Sequence, residues 1–82
     1  MRIAVDISLY PLDEDFIPPI KSVIERLNRH DGLEVETNAM STQVRGEYAA
    51  VMQAITREIG ETFENEPKAV FVMKILNNPL TD

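Results

Sequence analysis

Residues 2–10 alternate strictly. Ile3, Val5, Ile7 and Leu9 fall on one side, and Arg2, Ala4, Asp6, Ser8 and Tyr10 on the other. That two-residue period predicts a strand with one apolar and one polar face, closed by Pro11. Asp13, Glu14 and Asp15 then offer capping side chains and negative charge for a helix N-terminus. Pro18 and Pro19 fit only in a first turn, where missing N–H groups cost nothing. Phe16, Ile20, Val23, Ile24 and Leu27 recur at helical spacing and predict a helix near residues 14–30. Arg26, Arg29 and His30 sit near its C-terminus, and Gly32 is the expected left-handed residue beyond it. Leu33 and Val35 alternate with Glu34 and Glu36 in a short second strand. Asn38 and Ala39 turn the chain into a third strand over residues 40–45, which Gly46 is expected to break. Glu47 opens a second helix near residues 47–63, with Tyr48, Val51, Met52, Ile55, Ile59 and Phe63 along one side. Gly60 within it costs about 1 kcal/mol relative to alanine, and marks either close packing or a late helix end. After a loop at 64–67, residues 69–76 are apolar except Lys74 and predict the last strand. Residues 77–82 read as a polar tail.

The order is strand, helix, strand, strand, helix, strand. Two strand–helix–strand units with right-handed crossovers predict an α+β ferredoxin-like sandwich, a four-stranded sheet with both helices on one face. The first and third strands are expected side by side and parallel at the sheet centre. The uncovered face then carries Asp6, Ser8 and Tyr10, joined by some of Asn38, Ser41, Gln43 and Arg45. Which of these converge depends on strand register, which one sequence leaves open.

Length and charge narrow the function. The 82 residues make a single domain, residues 1–82, that buries only about 60–65% of its unfolded surface. No cysteine is present to supply a disulfide or thiolate ligand, so self-association as a dimer or tetramer is the expected remedy. A net charge of −6 disfavours nucleic acid and anionic membranes as partners. It suits a cationic ligand, and equally plain solubility. Asp6 interrupts the first apolar run, so no signal peptide is expected. No stretch approaches the roughly 20 apolar residues of a membrane span. A cytoplasmic location follows as the expectation.

Few residues offer chemistry. Asp6 in an apolar strand is either an acceptor for an amino group or cationic ring, or the partner of Arg45 or Lys74 across strands, or simply solvated. Ser8, Ser41, Thr42 and Gln43 can orient a polar heterocycle, or merely pair across strands. Asn38 is a turn residue as well as a possible ligand contact. Tyr10 can stack on a ring or sit at an interface. His30, the single histidine, is accounted for by the helix C-terminus, and zinc-type ligation lacks ligands. No phosphate loop, no EF-hand and no nucleophile–base pair is apparent, so no metal site and no enzyme are expected. An RNA-reading sheet of this topology would carry aromatics on its third strand; residues 40–45 have none.

Two segments together are more specific. Ser8-Leu9-Tyr10-Pro11-Leu12 on the first strand, and Asn38-Ala39-Met40-Ser41-Thr42-Gln43-Val44-Arg45-Gly46-Glu47-Tyr48 from the turn into the second helix, resemble the thiamine/hydroxymethylpyrimidine-binding (YkoF-like) family. The resemblance extends through both helices and the last strand. It implies non-catalytic binding of thiamine or its hydroxymethylpyrimidine part, in salvage, transport or sensing of the vitamin, with no other cofactor. It also implies association of single domains where two are not fused in one chain. Ser41, Thr42 and Gln43 match the family's ligand-side strand, although the single-domain branch carries a glycine near Ser41. Asp6, Ser8, Tyr10 and Asn38 complete the candidate ligand set from the open face and turn. The alternatives are a regulatory ferredoxin-like module holding a protein partner, and a small enzyme whose catalytic group is not identifiable.

Overall fold

The alternation of residues 2–10 builds the central strand. In the computed structural model, which describes residues 1–79, β1 spans Arg2–Pro11. It is followed by α1 (Ile17–Asn28), β2 (Glu34–Thr37), β3 (Thr42–Glu47), α2 (Tyr48–Asn65) and β4 (Ala69–Asn77). The strands form one sheet in the order β2-β3-β1-β4, with both helices on one face. Ile3, Val5, Ile7 and Leu9 of β1 and Val44 of β3 meet Val23 and Leu27 of α1 and Val51 and Ile55 of α2 in a single core. This is the ferredoxin-like arrangement. The end of the expected polar tail, residues 80–82, lies outside the described residues.

Four local expectations are corrected. The central strands are antiparallel: β1 pairs antiparallel with both β3 and β4. Each helical crossover does return the chain in its original direction, but the β2–β3 hairpin reverses it once more before β3 inserts beside β1. The helix expected from residue 14 starts at Ile17, and no side chain caps it. The acids instead form a turn, in which Asp13 Oδ1 accepts the Asp15 N–H at 3.1 Å. Gly46 does not break β3; it pairs with Ile3 inside the sheet. A Cβ there would lie 3.1 Å from Leu33 Cδ2 and 3.3 Å from Val51 Cγ2, so the glycine admits α2 and the preceding loop close to the sheet. Gly60 marks neither close packing nor a helix end, because open space surrounds it and α2 continues to Asn65.

Two further expectations match. Gly32 has φ +81°, and Pro18 and Pro19 occupy the first turn of α1. Tyr48 and Phe63, grouped with the α2 stripe by spacing, are half exposed, whereas Glu58 and Thr62 are buried. On the open face, register brings Asp6 between Gln43 and Lys74, and Ser8 and Tyr10 beside Val72 and Val70. Val70, Val72 and Leu76 are exposed there, and Met73 and Ile75 are exposed on the helix side. The outer edge strand is therefore apolar and uncovered on the open face, and on the helix side it is uncovered from Met73 onward, Ala69 and Phe71 packing against the core, whereas the opposite edge, β2, carries Glu34 and Glu36.

Candidate functional site

A cavity of about 480 Å³ opens between α1 and the sheet, where β1 ends and the β2–β3 hairpin turns. Its apolar walls follow from two periodicities. Ile7, Leu9 and Pro11 come from the helix-facing side of β1; Ile20, Val23, Ile24 and Leu27 come from the sheet-facing stripe of α1. Leu12 and Phe16, at either end of the β1–α1 connection, and Phe71 of β4 complete the apolar surface. Leu12 and Phe16 are half exposed, as expected of side chains at a mouth rather than in a core.

The polar side belongs to the hairpin: Thr37, Asn38, Ser41 and Thr42 line it, with Ala39 and Met40 at the tip. Thr37 and Thr42 are cross-strand partners, and their hydroxyls lie 3.1 Å apart. Thr42 is only 6% exposed, so its hydroxyl is a fixed polar group in an apolar setting. Asn38 shapes the turn. Its Oδ1 accepts the Met40 N–H at 2.7 Å and the Ser41 N–H at 3.0 Å, and its own N–H donates to the Ser41 carbonyl at 3.0 Å. Among the lining residues none is Asp, Glu, Lys, Arg or His.

Of the seven candidate ligand residues, the cavity gathers Ser8, Tyr10, Asn38, Ser41 and Thr42. Ser8 and Tyr10 border it at the end of β1, with side chains that alternate towards the open face. Asp6 and Gln43 are not brought to it. They face each other across strands on the open side of the sheet. Asp6 Oδ2 lies 3.7 Å from Lys74 Nζ, while its Oδ1 is buried without a hydrogen-bond partner. Gln43 Oε1 accepts from Arg45 Nη2 at 3.2 Å. Thr37, Leu12, Phe16, Ile20 and Met40 also line the cavity and were not anticipated. Phe16 and Ile20 were legible only as core positions of an amphipathic helix, a pattern that does not separate a packed face from a cavity wall.

A second polar cluster ties the helices together. Glu58 on α2, its side chain 5% exposed, lies 2.7 Å from Arg26 Nε and 2.6 Å from His30 Nε2. Arg26 also donates to Ser22 Oγ at 2.6 Å and Thr62 Oγ1 at 2.7 Å, and Glu61 approaches its Nε at 2.6 Å. Burial alone pushes the Glu58 carboxyl up, but the hydrogen bonds and charges of His30 and Arg26 outweigh it and hold the carboxyl below its ordinary value. No member of the cluster lines the cavity. Among the described residues no group of three or more His, Cys, Asp or Glu side chains is placed to hold a metal.

The fold is shared with solved structures of low sequence identity. A hypothetical protein from Methanocaldococcus jannascii superposes with a TM-score of 0.83 at 24% identity, over 99% of this chain and 84% of its own. A candidate thiamine biosynthesis/salvage protein from Thermotoga maritima gives 0.72 at 21%, over 95% and 85%. A domain of unknown function from Bacillus cereus gives 0.69 at 19%, over 99% and 80%. No functionally curated protein matches the sequence. The model of the thiamine-binding protein family does match it, over residues 5–79. That span takes in β1 from Val5, all the later elements and every residue lining the cavity, and the chain belongs to the thiamine-binding protein family.

Proposed function

We propose that this protein reversibly binds thiamine, or its hydroxymethylpyrimidine part, in the cavity between α1 and the sheet. The observation that carries the reading is the two-sided character of that cavity. Apolar walls from β1 and α1 suit the faces of a heteroaromatic ring, and the Ser41 and Thr42 hydroxyls suit its amino and ring-nitrogen edge. At about 480 Å³ it is within the usual range of small-ligand sites, about 300–1,000 Å³. The family, and the thiamine biosynthesis/salvage role proposed for the Thermotoga maritima protein, support the same ligand. The role is capture for salvage, transport or sensing in the cytoplasm, and not catalysis. The cavity offers hydroxyls and an amide, but no base beside them to activate a nucleophile.

Asn38, Ser41 and Thr42 form the ligand set in this reading, and Ser8 and Tyr10 border it from the end of β1. Asp6 and Gln43 belong to the open face, which a second copy of the chain covers. The exposed apolar residues of β4, with Tyr10 beside them, supply that contact, and a nine-residue strand at the sheet edge is a ready template for pairing.

Isothermal calorimetry with thiamine and hydroxymethylpyrimidine tests the ligand. Saturable heat with a fixed stoichiometry is expected. Silence for both, with a stable complex formed with some other protein through the open face, would replace this reading by that of a regulatory module. Turnover of either compound would make the protein an enzyme.

A further inference from the structure

We propose that the cavity and its mouth select unphosphorylated ligand, accepting a neutral pyrimidine with or without its cationic thiazolium and turning away the phosphate esters. This rests on the preceding assignment of the ligand and goes beyond it to the form that is bound. The interior comes first. None of the lining side chains carries a formal charge, so nothing inside can neutralise a phosphate. Moving an unpaired anion out of water is prohibitive. A phosphate on the bound ligand must therefore stay outside.

The mouth decides what it meets there. Leu12 and Phe16 both line the cavity, and the residues between them are Asp13, Glu14 and Asp15, all exposed. This turn sets three negative charges within a few residues of the opening. Asp13 and Asp15 also border a shallow depression on the far side of the turn, whose single cation is Arg26. That guanidinium is already engaged by Glu58 and Glu61, so it does not offset the acids. Three features oppose them, one being Lys21, exposed on α1 next to the lining residue Ile20. Lys68, whose carbonyl accepts the Leu12 N–H at 3.0 Å, adds one positive charge. The α1 N-terminus at Ile17 adds about half of one. The balance at the mouth stays negative. A thiazolium is attracted to it, whereas a phosphate ester, with roughly −1.5 to −2 charges at neutral pH, is repelled. Because the acids are exposed, the discrimination is moderate and screened by salt.

Calorimetric titration of the full chain with hydroxymethylpyrimidine, thiamine, thiamine monophosphate and thiamine diphosphate decides the matter, at low and at high salt. At low salt thiamine should bind about tenfold more tightly than the diphosphate, with the monophosphate between them, and the gap should narrow at high salt. Asp13→Asn, Glu14→Gln and Asp15→Asn together keep the turn's hydrogen-bond acceptors and remove its charge, and should narrow the gap at low salt. Equal or tighter binding of the diphosphate by the parent protein overturns the inference and leaves the ligand assignment standing. Failure of all four compounds to bind overturns both.

Discussion

Thr42 and Gln43 are neighbours in sequence and lie on opposite faces of the sheet. Thr42 sits beneath α1 beside the cavity; Gln43 lies in the open face across from Asp6. Thr42→Val keeps the shape and removes the hydroxyl. The loss of one hydrogen bond to a neutral group, about 0.5–1.5 kcal/mol, should weaken thiamine binding by roughly threefold to tenfold in a calorimetric titration. Asp6→Asn, on the far face, should leave that affinity unchanged while removing the 3.7 Å contact with Lys74. If Asp6→Asn weakens binding and Thr42→Val does not, the ligand sits on the open face. The residue types at the cavity were legible from sequence: small hydroxyl side chains on the third strand, and serine and tyrosine on the first. Their partition between two faces was not. A strand's parity is fixed only by the register of its neighbour, here Asp6 opposite Gln43, and neither strand's own pattern states that pairing. The expected start of β3 at residue 40 is two residues earlier than the observed Thr42. The hairpin tip held by Asn38 occupies the difference.

At the level of elements, the helices were readable from their stripes but their union was not. α1 and α2 meet through the buried Glu58, which spacing alone places on a helix without marking it as the partner of Arg26 and His30. Breaking a buried, multiply bonded carboxylate costs about 3–5 kcal/mol, and partial exposure of Arg26 and His30 puts Glu58→Ala near the lower end. Urea unfolding should show the loss. The same carboxylate links stability to pH. Its folded value lies below the ordinary 4.5, so its contribution is fully present above about that pH. The contribution is lost as pH falls through the folded value. Thermal midpoints measured through the acid range should therefore drop more steeply for the parent than for Glu58→Ala. Gly60 offers the opposite change. It is exposed in mid-helix, and an added Cβ would meet nothing within 4 Å, so Gly60→Ala should stabilise by about 0.5–1 kcal/mol in the same urea experiment. The start of α1 departs from expectation for a physical reason. Aspartates satisfy a local turn as readily as a helix end, and Asp13 bonds to Asp15 instead of capping α1.

The whole molecule is a sheet covered on one side. Its two edges differ: β2 is short and acidic, whereas β4 is long, largely apolar, exposed on the open face and exposed on the helix side beyond Phe71. Charged or short edges resist further pairing, and a long apolar edge invites it. Sedimentation at micromolar concentration should therefore show a species larger than the 9.3 kDa chain, and the thermal midpoint should rise with protein concentration. A monomer whose midpoint is independent of concentration would oppose this. Replacing Val72 and Leu76 together by lysine, at exposed positions outside the core, should shift the protein towards monomer while leaving the β1 core intact. The sandwich itself was fully legible, because the alternation of β1 and the two helical stripes admit few other arrangements. The antiparallel centre was not, because it depends on counting chain reversals and not on any residue.

The hairpin tip closes on itself. Asn38 binds two backbone N–H groups of its own turn and donates its own to Ser41, so the polar edge of the cavity is already in its final shape before a ligand arrives. A recognition surface that is preformed needs no slow rearrangement after collision. In a stopped-flow mixing experiment the observed rate should rise linearly with ligand concentration, in a single phase and without a plateau. Asn38→Ala would release the turn, and the cost of ordering it would pass to each binding event. Encounter would then be followed by a folding step, and the straight line would bend.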